Sequence, residues 1–83
     1  MPQTPKYLKL TGEERKTLAI EIQNALKMQD YKKRRRLQIP YLSDQGCSYR
    51  AIMQATQYGY STVRYWLYRY KKEGLKAFLK HWN

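Results

Sequence analysis

The sequence predicts an all-α fold, a small bundle of four to five helices, and two kinds of local signal support this. Apolar residues recur at intervals of three and four along most of the chain, which is the period of an amphipathic helix. Helix-start and helix-stop residues bracket these segments, such as the capping-box pair Thr11 and Glu14 and the terminating Gly74. The 83 residues can bury one modest core, so we expect a flexible N-terminal arm at 1–10 followed by a single domain at 11–83.

The first predicted helix begins after the N-cap Thr11 and extends to about Met28. Its core face is formed by residues at helical spacing, namely Leu18, Ile22, Ala25 and Leu26.

The second predicted helix follows Asp30 and ends near Asp44. It opens with five consecutive basic residues at 32–36. Because a proline inside a helix removes a hydrogen bond and clashes one turn back, Pro40 predicts a kink or break between Ile39 and Tyr41.

Two further helices, joined by a tight turn, are predicted in the second half of the chain. The shorter one follows the N-cap Ser48, ends at about Thr56 and should turn Ile52 and Ala55 inward. Tyr58 in the turn should pack between the two helices. This is the spacing of a helix-turn-helix motif, at about residues 48–73.

The longer of these helices should run from about Tyr60 to Glu73, where Gly74 can adopt the left-handed conformation that ends a helix. Its apolar face consists of Val63, Trp66, Leu67 and Tyr70. The opposite face carries Ser61, Tyr65, Tyr68 and Lys72, with Arg64 and Arg69 on the flanks. Such a helix can enter a DNA major groove and reach base edges, although an ordinary solvated helix face is the alternative.

The motif lies in a strongly basic chain, with 17 Lys and Arg against 6 Asp and Glu and a net charge of +11. Charge of this sign and size favours a nucleic-acid partner, and the motif favours double-stranded DNA. We therefore predict base contacts by Ser61, Arg64, Tyr65 and Tyr68. The predicted contacts to the DNA backbone are Lys32, Lys33, Arg34, Arg35, Arg36, Ser48, Arg50, Tyr60, Arg69 and Lys72.

The basic run at 32–36 carries part of this prediction and has two other interpretations, a solvated helix face and a nuclear-import-like patch. Adjacent cations repel one another, whereas DNA phosphates neutralise them and release condensed counterions. We therefore favour a phosphate clamp that fixes position on the duplex without reading sequence.

The segments 46–52, 62–70 and 73–75 resemble the DNA-binding domain of mariner-like bacterial insertion-sequence transposases, a homeodomain-like or paired-type helix-turn-helix domain. The resemblance covers most of residues 12–80. It implies a homeodomain-like bundle and a recognition helix, and it implies that the N-terminal arm can reach a DNA groove. Three positions depart from the family pattern: Met53 replaces a small alanine, Gln57 replaces a glycine in the turn, and Gly59 replaces an N-cap serine.

A transposase of this kind also has a catalytic domain with metal-binding carboxylates. The six acidic residues of this sequence, which ends at Asn83, show no such cluster. Cys47 and His81 are too isolated to suggest a zinc site or a nucleophile. We therefore expect a DNA-binding module that is not an enzyme and needs no metal or cofactor.

The N-terminus lacks the apolar core of a signal peptide, and no apolar run approaches the length needed to cross a bilayer. We expect a cytoplasmic, nucleoid-associated protein without a membrane partner. The C-terminal residues Leu75, Phe78, Leu79 and Trp82 form one apolar face. That face can cover the chain's own core or pair two copies into a homodimer, and we favour the core.

The most direct function for such a module is a small transcriptional regulator that binds DNA in a sequence-specific way; the resemblance also allows a fragment of a mobile element. Two alternatives remain open. The tyrosines set among cations are also typical of single-stranded DNA or RNA binding. A small protein-binding regulator or antitoxin would use the same aromatic residues against a partner protein.

Overall fold

Four helices, bounded by local capping signals, make up the part of the protein that the computed structural model describes, residues 8–80. They are α1 (Gly12–Lys27), α2 (Tyr31–Asp44), α3 (Tyr49–Thr56) and α4 (Tyr60–Lys80). Residues 8–80 contain no strand. The predicted all-α fold of four to five helices is confirmed, and α2 is its central element because it packs against each of the other three helices.

The capping box predicted at the start of α1 is present. The Thr11 hydroxyl accepts a hydrogen bond from the Glu14 amide at 3.1 Å, and the Glu14 carboxylate accepts one from the Thr11 amide at 2.9 Å. Leu18 and Ala25 are buried as predicted, but Leu26 is 46% exposed. The prediction for Leu26 was wrong because consecutive residues lie about 100° apart around a helix, and Ala25 already occupies the inward direction.

The predicted break in α2 at Pro40 does not occur, since the helix is continuous from Tyr31 to Asp44. Ile39 and Pro40 are both fully buried. Their packing on neighbouring helices holds the chain in helical form across the missing hydrogen bond, so tertiary contacts override the local penalty.

The chain before α1 is attached to the C-terminal end of α2. The Leu8 amide donates to the Ser43 hydroxyl at 3.0 Å, and the Leu10 amide donates to the Asp44 carboxylate at 2.9 Å. Leu10 is itself buried. Three residues of the predicted arm, 8–10, are therefore packed on the domain, and residues 1–7 lie outside the described part of the chain.

Asp44 is also the centre of an ion pair. Arg15 Nε lies 2.6 Å from one of its carboxylate oxygens, and Arg15 Nη2 donates to the other oxygen at 3.1 Å. The Arg15 guanidinium and the Leu10 amide together hold the pKa of the Asp44 carboxyl below its usual range, against the opposing effect of burial. The pair joins α1, α2 and the N-terminal segment at one point.

The hydrophobic core has two parts, one on each side of α2. The first part is formed by the segment before α1, by α1 and α2, and by α4 from Tyr70 onward, with Leu10, Leu18, Ala25, Leu37, Tyr70 and Phe78 buried in it. The second part lies beneath the helix-turn-helix motif and contains Ile39, Ile52, Val63 and Leu67. Trp66 packs against both parts, so the motif is attached to the rest of the domain through one continuous core.

The helix-turn-helix motif follows the predicted boundaries closely. Ser48 caps α3 by accepting a hydrogen bond from the Ala51 amide, and Ile52 is fully buried. Ala55, predicted to point inward, is exposed, and Thr56 is buried in its place. The Thr56 hydroxyl donates to the Ile52 carbonyl at 2.7 Å, so the polar group is satisfied and a threonine can occupy the core position.

Gly74 interrupts α4 with φ 90° and ψ 178°, values outside the helical range. The predicted helix end after Glu73 is therefore confirmed, and residues 75–80 form a separate short helical part. In this part Phe78 is buried, and Leu75 and Leu79 pack against the first part of the core. These three residues cover the chain's own core, as favoured from the sequence, while Trp82 lies outside the described residues.

Candidate nucleic-acid interface

The first half of α4, residues 60–73, has one buried and one exposed side. Val63, Leu67 and Tyr70 are at most 7% exposed, whereas Tyr60, Tyr65 and Tyr68 are 51%, 48% and 59% exposed. The 3.6-residue period of the helix separates the two sets, as the sequence predicts. The buried side fixes this half of the helix on the core, so the exposed side is presented by a rigid element.

The exposed side forms a shallow concavity whose lining residues are Tyr60, Ser61, Arg64, Tyr65 and Tyr68. The structure thus brings together all four residues predicted to contact bases. Tyr60, predicted as a backbone contact, completes the lining.

Each of the three tyrosine rings in the concavity has a neighbour that holds it in place. The Tyr60 ring lies 5.4 Å from that of Tyr49 at the start of α3. The Tyr65 ring meets Trp66 edge-on at 5.2 Å, and the Tyr68 ring has the Lys72 ammonium 5.6 Å from its centre. Contacts of this kind favour the ring positions that line the concavity.

Arg69 connects the concavity to Glu73, the last residue of α4 before the interruption at Gly74. Its guanidinium donates to the Tyr65 hydroxyl and forms an ion pair with Glu73, with Nε 2.9 Å from the carboxylate. The bond to Glu73, followed by the bond to Tyr65, raises the pKa of Arg69 against the opposing effect of burial. Arg69, predicted as a backbone contact, is engaged with two side chains of its own helix.

The turn between α3 and α4 forms a second shallow surface. It is lined by Arg50, Met53, Gln54, Gln57, Tyr58 and Gly59. Gln57 has φ 65° and ψ 20°, a left-handed conformation at the position where the resembled family has glycine. Of the predicted backbone contacts, Ser48 and Arg50 are both exposed on α3.

The basic run on α2 does not lie on one face, because a helix distributes five consecutive residues around its axis. Arg35 donates to the Thr56 carbonyl at 2.8 Å and lies 4.4 Å from the centre of the Tyr58 ring. Arg36 lies over Trp66 at 5.0 Å, and Lys33 approaches Glu21 at 3.7 Å. Arg34 lies 6.0 Å from the Tyr31 ring centre, and Lys32 is exposed.

Two contacts near the motif have no local signal in the sequence. Arg35 on α2 bonds to Thr56 at the end of α3, 21 positions further along the chain. Arg15 pairs with Asp44 across 29 positions. A run of arginines is equally compatible with exposure and with aromatic packing, so the sequence alone cannot separate these roles.

Charge is distributed unevenly around the domain. Four of the six acidic residues, Glu13, Glu14, Glu21 and Asp30, belong to α1 or the connection after it, whereas residues 45–72 contain none. Within the motif Glu73, which pairs with Arg69, stands against Arg50, Arg64, Arg69, Lys71 and Lys72, so the motif keeps a net positive charge that attracts a polyanion.

A family model described as winged helix-turn-helix matches residues 36–83, more than half of the chain. The chain belongs to the winged helix-turn-helix family. Membership supports a helix-turn-helix DNA-binding domain. The matched segment contains all of α3 and all of α4. No curated protein and no solved structure matches the chain.

The family match leaves the finer predictions from the sequence as they stood. It does not name a mariner-like transposase, so that origin stays a prediction. Over residues 8–80 no helix is long and apolar enough to cross a bilayer. Within the same range, no three His, Cys, Asp or Glu side chains come together in a group that could hold a metal ion.

Proposed function

We propose that this winged helix-turn-helix protein binds double-stranded DNA in a sequence-specific way, with residues 60–68 of α4 in the major groove. The observation that supports this most directly is the concavity lined by Tyr60, Ser61, Arg64, Tyr65 and Tyr68. It gathers hydroxyl and guanidinium groups on the exposed side of a helix whose other side is core. A major groove about 12 Å wide admits one α-helix in this orientation.

The remaining predicted contacts would position the protein on the duplex. In helix-turn-helix complexes the helix before the recognition helix crosses the DNA backbone. Ser48 and Arg50, exposed on α3, are placed to meet phosphates in such an arrangement. Lys32 and Lys72 are exposed as well and would add sequence-independent attraction.

The proposed role is transcriptional control by occupation of a DNA site, in the cytoplasm and in association with the nucleoid. A part in a mobile element is the alternative that the transposase resemblance favours. The proposal includes no catalysis: the carboxylates of Glu14, Asp44 and Glu73 bond to Tyr70, Arg15 and Arg69, respectively, which gives each a structural task. A homodimer on paired half-sites is compatible with this function but not required for it.

Single-stranded nucleic-acid binding is the second candidate, and the exposure of Tyr60, Tyr65 and Tyr68 favours it. Aromatic rings next to cations can stack on unpaired bases. The rings here have neighbours on their own chain, which leaves less of each ring face for stacking.

Selection from random-sequence pools separates these candidates. The protein is incubated with duplex and single-stranded pools at roughly 50 and 200 mM salt, and the retained molecules are sequenced. An enriched duplex motif that persists at the higher salt is the expected result, and it also reveals any half-site spacing. Preferential retention of single strands would support the second candidate, and loss of all nucleic acid at the higher salt would favour a protein partner.

A further inference from the structure

The lining of the concavity on α4 limits which bases it can recognise. Adenine is read best by the paired hydrogen bonds of Asn or Gln, and cytosine by a carboxylate acceptor. None of the five described lining residues is Asn, Gln, Asp or Glu. The lining instead supplies one guanidinium, from Arg64, three tyrosine rings, and the Ser61 hydroxyl, which does not discriminate strongly between bases.

These groups match the other two bases. A guanidinium forms two hydrogen bonds to O6 and N7 of guanine, and an apolar surface contacts the C5 methyl group of thymine. The tyrosine rings of Tyr60, Tyr65 and Tyr68 supply that surface. The Tyr65 hydroxyl accepts a hydrogen bond from Arg69 and keeps its O–H proton to donate, while its ring has Arg69 and Trp66 as neighbours, so Tyr68 offers the freer ring.

We infer that the concavity binds the C5 methyl group of a thymine located within two base pairs of a guanine that Arg64 recognises. This rests on the proposed binding of duplex DNA and specifies the sequence that the site takes. Arg64 and Tyr68 are one helical turn apart, about 6 Å along the axis. Base pairs are stacked at about 3.4 Å, and a helix inclined in the groove advances along the stack by no more than its own rise, so the two side chains span at most about two steps.

The methyl group can be tested without changing base pairing, because uracil pairs as thymine does and lacks only the methyl. A duplex containing the selected motif is prepared with each thymine replaced in turn by uracil. At one or two positions, uracil should weaken binding about threefold to fivefold, the loss expected for one buried carbon group. At the other positions it should have no effect.

The Tyr68→Ala variant tests whether the tyrosine rings supply the methyl contact. It should bind thymine and uracil duplexes equally at the sensitive position, because the ring that covers the methyl is gone. Tyr68 is 59% exposed, so truncation leaves the core intact, which circular dichroism verifies. Lys71→Ala is the matched control: Lys71 is exposed on the same helix but does not line the concavity, and its loss should preserve the thymine preference.

Replacement of the neighbouring guanine by 7-deazaguanine removes the N7 acceptor and tests the Arg64 contact. Wild-type binding should weaken about tenfold, whereas Arg64→Ala should show no further loss with the modified base. A selected motif that tolerates uracil at every position, or that lacks guanine near the sensitive thymine, would overturn the inference and leave sequence-specific binding intact. Failure to select any duplex motif would instead overturn the proposed function.

Discussion

Gln57 carries a backbone strain that a single substitution should relieve. Its φ of 65° costs an ordinary residue about 1–2 kcal/mol, a cost that glycine does not incur. Glycine also increases the conformational freedom of the unfolded chain, which offsets about 0.4–1 kcal/mol of the stability gained by relieving the strain. Gln57→Gly should therefore raise the free energy of unfolding by about 0.5–1 kcal/mol, measured as a higher midpoint in urea.

Gln45 provides the control for this comparison, since it is also an exposed glutamine after a helix but has φ −82°. At Gln45, glycine relieves no strain and only increases the freedom of the unfolded chain, so Gln45→Gly should lower stability. Equal shifts for the two variants would show that the turn conformation of Gln57 is not strained.

Asp44 links stability to pH. Its folded-state pKa lies below the unfolded value of about 3.9, so its ion pair stabilises the fold above that pH and is lost as pH falls through the lowered pKa. Asp44→Asn should reduce stability at neutral pH, because Arg15 loses its partner. As pH falls from about 5 to about 2, the variant should lose less stability than the wild type. Urea unfolding at several pH values in that range measures the difference.

Asp30→Asn serves as its control. Asp30 is an exposed N-cap whose carboxylate accepts a hydrogen bond from the Lys33 amide, and asparagine caps a helix equally well. Its free energy of unfolding at neutral pH should match that of the wild type. Parallel pH profiles for wild type and Asp44→Asn would refute the stabilising role of the buried carboxylate.

At the scale of elements, Gly74 sets the direction in which the last part of α4 returns to the core. A φ of 90° with ψ 178° is accessible to glycine and strained for any other residue. Gly74→Ala should lower stability by about 1–3 kcal/mol, because either the strain is retained or Phe78 leaves its buried position. Thermal unfolding measures the change.

Gly12→Ala is the corresponding control. Gly12 is the first residue of α1, has open space where a Cβ would lie, and has no positive φ. Alanine favours helix over glycine, so this variant should be neutral or slightly more stable. A similar loss in both variants would point to a general intolerance of substitution and not to the geometry at Gly74.

Arg35 connects two elements, and its removal should lower the stability of the fold more than it lowers DNA affinity. It bonds the Thr56 carbonyl at the end of α3 and packs on the Tyr58 ring in the turn. A hydrogen bond to a charged group contributes about 1.5–3 kcal/mol, so Arg35→Ala should destabilise the protein by about this amount. Lys32→Ala removes an exposed cation from the same helix and should change stability by less than about 0.5 kcal/mol.

Urea unfolding of both variants, with DNA binding at several salt concentrations, distinguishes the two roles of Arg35. Unchanged stability and a flatter salt dependence of DNA binding for Arg35→Ala would instead support the phosphate contact predicted for Arg35 from the sequence.

For the whole molecule, the net charge of +11 and the absence of acidic residues at 45–72 determine how binding responds to salt. The logarithm of the affinity should fall linearly with the logarithm of salt concentration as Lys and Arg displace counterions from the DNA phosphates. Arg64→Ala should weaken the preferred site by about 1–3 kcal/mol and reduce sequence preference. Lys32→Ala should weaken all duplexes similarly and lower the salt slope by about 1.

Fluorescence anisotropy with a preferred and a scrambled duplex measures both effects. Equal, sequence-independent losses for Arg64→Ala and Lys32→Ala would remove the recognition role from α4, since only a base contact distinguishes the two duplexes.

Local sequence signals are sufficient to predict the helices, the motif and the composition of the exposed side of α4. Capping pairs such as Thr11 with Glu14 act within a single turn, and Val63 and Tyr70 follow a helical period. Both signals are complete within a short window, so they can be read without knowledge of the rest of the chain.

Packing between distant segments assigns some polar groups to the fold and leaves others available to a ligand. Arg35 packs on the turn, Asp44 receives Arg15, and Pro40 is accommodated within a continuous helix. Leu26 and Ala55 face outward although both continue an apolar pattern. These outcomes depend on the angles at which helices meet, and those angles are fixed by packing between residues far apart in the chain.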